Sequence, residues 1–341
     1  MKILGIETSC DETGAAIIEK LPDETLKIIS NIIATSSDMH TKTGGVIPEN
    51  AAREQIKSII PIIKEALTTN IDVIAVTVGP GLIGSLLVGV ETAKTLSYLW
   101  QKPIIPVNHL VGHIYANFIN NTPSFPLLAL VVSGGHTDLV YMKSHGNIKY
   151  IGGTRDDAAG EAFDKTARLL NLPYPGGPNL SKLAQIYIDK NPEEKLNLFP
   201  RPMINEKNFD WSFSGLKTSV SNYINKQSLR KSEFGKEKIA AEIQEAIVDS
   251  LVEKSFRAIE KYNPKSFLLA GGVSANSRLR KKFQTRMPMR HSGKHAPITF
   301  HVPEISLCTD NAAYIAAAAF FVGKEVNWQK ISANPELTIT D

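Results

Sequence analysis

Apolar positions along this chain follow two periods that alternate. KILGIE (residues 2–7) and AAIIE (15–19) are short apolar runs on either side of a polar stretch, TSCDETG, and predict two strands of a hairpin. The period then lengthens. PENAAREQIKSIIPIIKEAL has a proline near its start and Ile56, Ile59, Ile60 and Ile63 at helical spacing, which predicts a helix with one apolar stripe. DVIAVTV is a continuous apolar run of the kind that buried strands show. In GPGLIGSLLVG the glycines leave room for a tight strand-to-helix turn, and a long helix follows to about Trp100. PVNHLVGHIYANF (106–118) opens a further helix.

The pattern then restarts. LLALVVSGGHTDLVYM is again strand, glycine turn, strand, and mirrors KILGIETSCDETGAAII in layout though not in identity. Helical segments follow in DDAAGEAFDKTARLLN and from about Glu237 to Tyr262. SFLLAGGVSANSRLRKKF reads as strand, glycine turn, helix, and a last helix begins near CTDNAAYIAAAAFF. Two strand–turn–strand starts, each followed by helices, predict an internally duplicated α/β protein with a cleft between its halves.

Composition narrows the class. A chain of 341 residues, 43% hydrophobic and 21% charged, has the make-up of a globular protein with a large core and room for two domains. MKILGIETSC lacks the apolar core of a signal peptide, and AAYIAAAAFFV (312–322) falls short of the ~18 residues of a membrane span. Two cysteines, Cys10 and Cys308, are too few for a disulfide framework or a cysteine zinc cage. The expectation is a cytoplasmic protein with no membrane partner. A net charge of +4 does not by itself imply nucleic acid, but residues 276–295 carry seven Lys/Arg, two His and no acid. That run is either a solvated helix face and loop or an RNA-facing patch.

Several short motifs carry chemistry. His109 and His113 stand at i and i+4, so on a helix both imidazoles leave one face and can share a divalent metal. The residues between them are Leu110, Val111 and Gly112, without the glutamate that H-E-x-x-H metalloproteases use. The alternative is two unrelated histidines, one packed and one exposed. Asp310 is a candidate third ligand if the last helix packs back on the N-terminal half, and otherwise an ordinary N-cap. Cys308 is expected to be a buried apolar residue. Val132, Ser133, Gly134, Gly135 and His136 form a glycine turn whose backbone N–H groups can converge on an anionic oxygen. AGGVSAN (270–276) makes a similar case at a helix start, and YPGGP (174–178) is a rigid loop. Three such turns in one duplicated frame favour a nucleotide in the cleft. Asp11 and Glu12 lie in the first hairpin turn, where a transferase or hydrolase of this layout faces its ligand. Asp157 and Glu161 share a helix face and are expected to be solvated or capping, and Asp164 suits a ribose hydroxyl only if it faces the cleft.

Taken in order, GIETSCDETGAAI, GGVIPENAAR, VTVGPGLIGSLLVG, VNHLVGHIYA, VSGGHT, DDAAGEAFDK, YPGGP, SFSGLKT, AGGVSAN and CTDNAA closely resemble the TsaD family of tRNA adenosine threonylcarbamoyltransferases, once called O-sialoglycoprotein endopeptidases. The resemblance implies an actin-like, sugar-kinase-like fold with lobes at 1–122 plus 309–341 and at 123–308. It implies transfer of a threonylcarbamoyl group from threonylcarbamoyl-AMP to N6 of the adenosine 3′ of the anticodon in tRNAs reading ANN codons. By motif, His109, His113 and Asp310 would bind one iron or zinc ion. Val132 to His136 would line the phosphate and acyl region, and Asp164, Gly177 and Asn276 would hold the nucleoside. Asp11 and Glu12 are the candidate bases. Arg278, Arg280, Lys281, Lys282 and Arg286 become candidates for the tRNA face, and TsaB and TsaE homologues become expected partners. Two positions depart from the family pattern: Ser181, often aspartate, and Gln55, often histidine on a helix implicated in partner binding. A kinase-like or chaperone-like ATPase, a metallopeptidase and a non-catalytic scaffold are the rival readings, and the histidine pair without a glutamate disfavours each.

Overall fold

The computed structural model describes residues 1–36, 45–229, 235–287 and 297–341. Among these residues the strands form two five-stranded sheets of one design. In the first, β1 (Lys2–Glu7), β2 (Glu12–Lys20) and β3 (Leu26–Thr35) make an antiparallel meander, and β4 (Val73–Gly79) and β5 (Ile104–Asn108) extend it in parallel from β1. In the second, β6 (Leu127–Val132), β7 (Thr137–Met142) and β8 (Ile148–Gly153) repeat the meander, and β9 (Ser266–Ala270) and β10 (Thr299–His301) repeat the parallel pair. Even the register irregularity recurs, between Ile17 and Ile18 and again between Leu139 and Val140. The duplication expected from the sequence is thus present in the strand pairing.

Side-chain alternation divides the core. Leu4, Ile6, Ala15 and Ile17 turn outward from the first sheet onto α1 (Pro48–Ala66) and α2 (Ile83–Trp100), while Ile3, Ala16 and Ile18 turn inward. The two meanders are joined through α3 (His109–Tyr115). In β6, Leu128, Leu130 and Val132 face the outer helices of the second sheet: α4 (Ala159–Leu169), α5 (Gly176–Lys190), α6 (Ser214–Leu229), α7 (Lys236–Tyr262) and α8 (Ser277–Arg286). Leu127, Ala129 and Val131 face inward, into the same core as Ile3, α3 and the last helix, α9 (Ala312–Val322). Helices α3 and α9 therefore lie in a layer shared by both sheets.

One expectation needs correction. The stripe on α1 is not Ile56, Ile59, Ile60 and Ile63: the buried residues are Ala51, Gln55, Ile59, Ile62, Ile63 and Ala66, and Ile56 and Ile60 are 64% and 45% exposed. Residues one step along a helix are turned by about 100°, so Ile56 and Ile60 fall on the flank beside the buried row that runs through Gln55 and Ile59.

Candidate active site

Close approach of α3 and α9 builds the centre of the site. A Cβ on Gly112 would lie 2.7 Å from Tyr314 Cδ2 and 2.8 Å from Ile315 Cδ1, so only glycine lets the helices cross here without displacement. His109 and His113 flank that crossing, with ring centroids 4.6 Å apart. Asn311 caps α9 by accepting the Tyr314 N–H, which frees Asp310 from the capping role and leaves it beside the histidines. Asp310 Oδ1 is 3.5 Å from His113 Nε2 and 3.8 Å from His109 Nε2, and one ligand atom from each residue lies within 4.8 Å of the others. Both histidines are buried, so the reading of one packed and one exposed is excluded.

The donor set fits a divalent cation. Ligands about 2.1 Å from a tetrahedral ion stand ~3.4 Å apart, within a few tenths of an ångström of the two separations from Asp310 to the imidazoles. Among the described residues neither buried ring nitrogen of His113 has a hydrogen-bond partner, a state that proteins rarely leave uncompensated. Burial, then the charges of His109 and His136, hold His113 well below the ordinary histidine range, so it presents the neutral ring that ligation needs. His109 Nδ1 lies 3.1 Å from Glu7 Oε2 and 3.1 Å from Ser9 Oγ. Donation from Nδ1 to Glu7 leaves the Nε2 lone pair turned toward Asp310. Burial alone would lower His109, but Glu7 and Asp310 lift it to about 9, so a cation bound at Nε2 displaces a proton from it. Glu7, fully buried, also accepts from Thr77 Oγ1 and the Ser9 N–H.

Acids crowd the same place. Burial, aided by Glu7 and Asp11 against the pull of His109, raises Asp310 to about 6. Glu12 is pushed up to about 10 by burial and then by Asp310 and Asp11. Such a cluster of carboxylates around two imidazoles is relieved by positive charge. The turn that carries Asp11 and Glu12 is held by side chains from three elements. Gln55 Nε2 donates to the carbonyls of Cys10 (3.1 Å) and Glu12 (2.8 Å), Ser85 Oγ to Cys10 (2.9 Å), and Ser36 Oγ to Asp11 (2.8 Å).

The β6–β7 turn belongs to the second sheet. His136 is lowered to about 4 by burial and then by the charge of His109. The turn is closed by Ser133 N–H to His136 O (2.9 Å) and His136 N–H to Ser133 Oγ (3.1 Å). The N–H groups of Gly134 and Gly135 make no hydrogen bond among the described residues, and a Cβ on either glycine would meet nothing within 4 Å. The turn thus offers two unbonded amides and open space beside both glycines. Helix α4 abuts them from beneath, with Gly160 N–H on Ser133 O (3.1 Å).

The remaining candidates lie on the second sheet's helices. Asp164 Oδ1 accepts the Gly177 N–H at 3.0 Å, tying α4 to the YPGG loop. Tyr174 of that loop is raised by burial and then by Asp11 and Asp164, so it stands near both. The Asn276 side chain caps α8 through Leu279 N–H and donates to Ser181 Oγ (2.9 Å) and Gln244 Oε1 (3.0 Å). Ser181 is thus a partner of Asn276 rather than a free hydroxyl. Asp157 and Glu161 both pair with Lys165.

The basic run is mostly spent inside the fold. Arg278, Lys282 and Arg286 on α8 pair with Glu245, Glu245 and Asp249, and Glu253 on α7, and Arg280 donates to the carbonyls of Ser274 and Pro303. Of the five cations assigned to the tRNA face, Lys281 alone is exposed without an ion pair among the described residues, and residues 288–295 of the run lie outside them. Residues at a four-residue spacing on both helices, 245/249/253 and 278/282/286, are the signal that sequence reasoning passed over. Glu7 was also missed, and Gln55 was singled out only as a departure from the family pattern, not as a clamp on the first hairpin turn. An acid ending an otherwise apolar strand, KILGIE, was the available sign of the first.

A sequence model of the TsaD family, described as tRNA N6-adenosine threonylcarbamoyltransferase, matches residues 27–317. The chain belongs to the TsaD family. A tRNA N6-adenosine threonylcarbamoyltransferase of Bacillus cereus is 46% identical over 99% of this chain and 96% of the relative. One from Bacillus subtilis is 47% identical over 93% of this chain and 89% of its own. Among solved structures, full-length HypF in a phosphate- and nucleotide-bound form superposes with a TM-score of 0.59 at 13% identity, covering 93% of this chain and 46% of HypF. At that identity the likeness concerns fold alone. It agrees with the paired sheets: this is the duplicated actin-like, sugar-kinase-like α/β fold.

Proposed function

We propose that this chain transfers the threonylcarbamoyl group of L-threonylcarbamoyl-AMP to N6 of the adenosine 3′ of the anticodon in tRNAs reading ANN codons, releasing AMP. Family membership supports the reaction. The observation that supports its placement is the convergence of His109, His113 and Asp310 on one spot, with the Gly134–Gly135 amides left unbonded among the described residues. The lobes are assigned to 1–122 with 309–341 and to 123–308, with the donor between them.

The chemistry requires activation, because the N6 lone pair is delocalised into the adenine ring. The carbamoyl carbon gains a bond to N6 and loses its bond to the phosphate oxygen, so AMP leaves with the electron pair. Gly134 and Gly135 N–H groups hold the phosphate as its charge grows, a preorganised anion cradle. The N6 proton passes to a carboxylate of the first hairpin turn. Glu12, held up at about 10, keeps its own proton near neutral pH, which leaves Asp11 as the acceptor and Glu12 as its hydrogen-bond partner. His109, His113 and Asp310 would hold iron or zinc, which when bound supplies a Lewis acid for the donor's oxygens. Asp164, Gly177 and Asn276 fix the loops on which the nucleoside rests.

The target base lies in an anticodon loop, where bases are open to protein contact. TsaB and TsaE homologues are the proposed protein partners, and the cytoplasm the proposed location. No helix among the described residues is long and apolar enough to cross a membrane. The deciding experiment incubates the chain, with and without both partners, with threonylcarbamoyl-AMP and unmodified tRNA. Threonylcarbamoyladenosine in the nucleoside digest supports the reading, and its absence under every condition overturns it. Alanine at Asp11 is expected to abolish transfer while donor binding persists.

A further inference from the structure

Asn108 ends β5 and immediately precedes the ligand His109. Its side chain works in two directions. Oδ1 accepts the N–H groups of Leu110 (2.9 Å) and Val111 (3.4 Å) and so caps α3. Nδ2 donates to the carbonyl of Thr338 at 2.7 Å, across 230 residues of sequence. Helix α3 is seven residues long, so the cap governs much of its orientation.

The segment that receives this bond is firmly seated. Asn334 N–H donates to Val78 O at 2.7 Å, and a Cβ on Gly79 would lie 1.8 Å from Asn334 O. Gly79 and Asn108 are register partners at the ends of β4 and β5, so residues 334–338 lie across both strand ends. Asn334 Oδ1 accepts the Glu336 N–H, and Asp341 Oδ2 accepts both the N–H and the hydroxyl of Thr338. Ile339 is 3% exposed and packs in the core that holds Leu110, Val111 and Tyr314. A cavity of about 930 Å³ opens beside this segment, lined in part by Asn108, Ile339 and Asp341.

We infer that residues 334–341 form a strap that sets the orientation of α3, with Asn108 as the positioning residue, so that seating of the strap controls how tightly His109, His113 and Asp310 hold a divalent ion. The inference rests on the metal reading of that cluster. Residues that orient ligands change metal affinity by about 10–100-fold when replaced, and the same range is expected here.

The test measures metal binding on the full chain, with zinc competed against a chromophoric chelator and cobalt(II) as a spectroscopic probe. Asn108→Asp keeps an acceptor for the α3 cap and loses the donor to Thr338. Ile339→Ala loosens the strap and leaves Asn108 intact. Each is expected to weaken zinc binding about tenfold and to alter the visible cobalt spectrum, and the double variant is expected to be no weaker than Asn108→Asp alone. Leu251→Ala, in the separate core of the second sheet, is the control: it lowers stability with zinc affinity unchanged. Wild-type affinity in both folded strap variants overturns the strap and leaves the metal reading standing. A wild-type chain that takes up neither zinc nor cobalt overturns the metal reading, and the inference with it. A Leu251→Ala chain that loses affinity equally reduces the effect to general destabilisation and overturns the inference as well.

Discussion

A single amide can decide how a reactive turn is held. Gln55 is 1% exposed, and its Nε2 is shared between the carbonyls on either side of Asp11. Gln55→Met keeps length and burial but removes both donors, leaving the Glu12 carbonyl without that partner. We expect a stability loss of about 1–2 kcal/mol and a transfer rate at least tenfold lower, with KM for the donor little changed, because the donor rests on the other sheet's turn. An unchanged kcat would show that the turn does not need the clamp. Asp138 gives a second expectation at this scale. Burial raises its carboxyl from the ordinary 3.8 to about 6. The native state therefore keeps the proton longer than the unfolded chain, and its contribution to stability falls as pH rises from about 4 to 6. Asp138→Asn removes that loss. The variant is expected to gain roughly 1–2 kcal/mol on wild type at pH 7, after allowance for solvent screening, and nothing at pH 3.5. Urea midpoints at the two pH values measure the gap, and equal gaps would refute the assignment. Residue chemistry of this kind was legible only in part: the spacing of His109 and His113 announced itself, whereas Gln55 looks in sequence like any polar residue on an amphipathic helix.

Elements were easier to read than their partners. Period-two and continuous apolar runs located β1, β2, β6, β7 and β9, since a strand buried on one or both faces has few other ways to write itself. The stripe on α1 was displaced by one residue because Ile56 and Ile60 are as apolar as the row that is buried, and only the sheet beneath decides which row that is. The ion pairs of the basic run were hidden for a similar reason. Its cations lie against acids on α7, more than thirty residues away, and no local pattern records that pairing. A consequence follows for nucleic-acid binding. Lys282→Glu sets a third carboxylate beside Glu245 and Asp249, and is expected to lower stability by about 1–3 kcal/mol while the salt dependence of tRNA binding stays as in wild type. Lys281→Glu is expected to do the opposite, sparing stability and reducing the salt slope by about one counterion. Thermal melts and binding isotherms across a salt series separate the two, and a steeply altered slope in Lys282→Glu would return α8 to the tRNA face.

At the scale of the whole molecule, duplication and coupling pull against each other. Two copies of one sheet design would unfold as two units if each closed its own core. Each sheet does pack an outer core of its own, but a third core is shared: the inward faces of both sheets meet on α3 and α9, and Ile3, Ala16, Leu127, Val131 and Ile315 belong to one apolar cluster. The arrangement also explains why the candidate residues could be picked from sequence and their support could not. Each candidate stands in a local motif, but what brings them together is a helix from the end of the chain crossing one from the middle at Gly112, between sheets that neither belongs to alone. Loosening that shared layer should therefore weaken both halves at once. Ile315→Ala removes a fully buried side chain there and is expected to cost about 2–4 kcal/mol, with the first and second sheets still melting in one transition. If His109, His113 and Asp310 hold zinc, as proposed, the ion would tie α3 to α9 and recover ~2.7 kcal/mol at a free concentration one hundred times its dissociation constant. Hydrogen exchange followed separately on β4 and β9 checks both expectations. If β9 keeps its protection in Ile315→Ala while β4 loses it, the layer between the sheets is not their common core, and communication between metal ligands and the glycine turn opposite must run by another route.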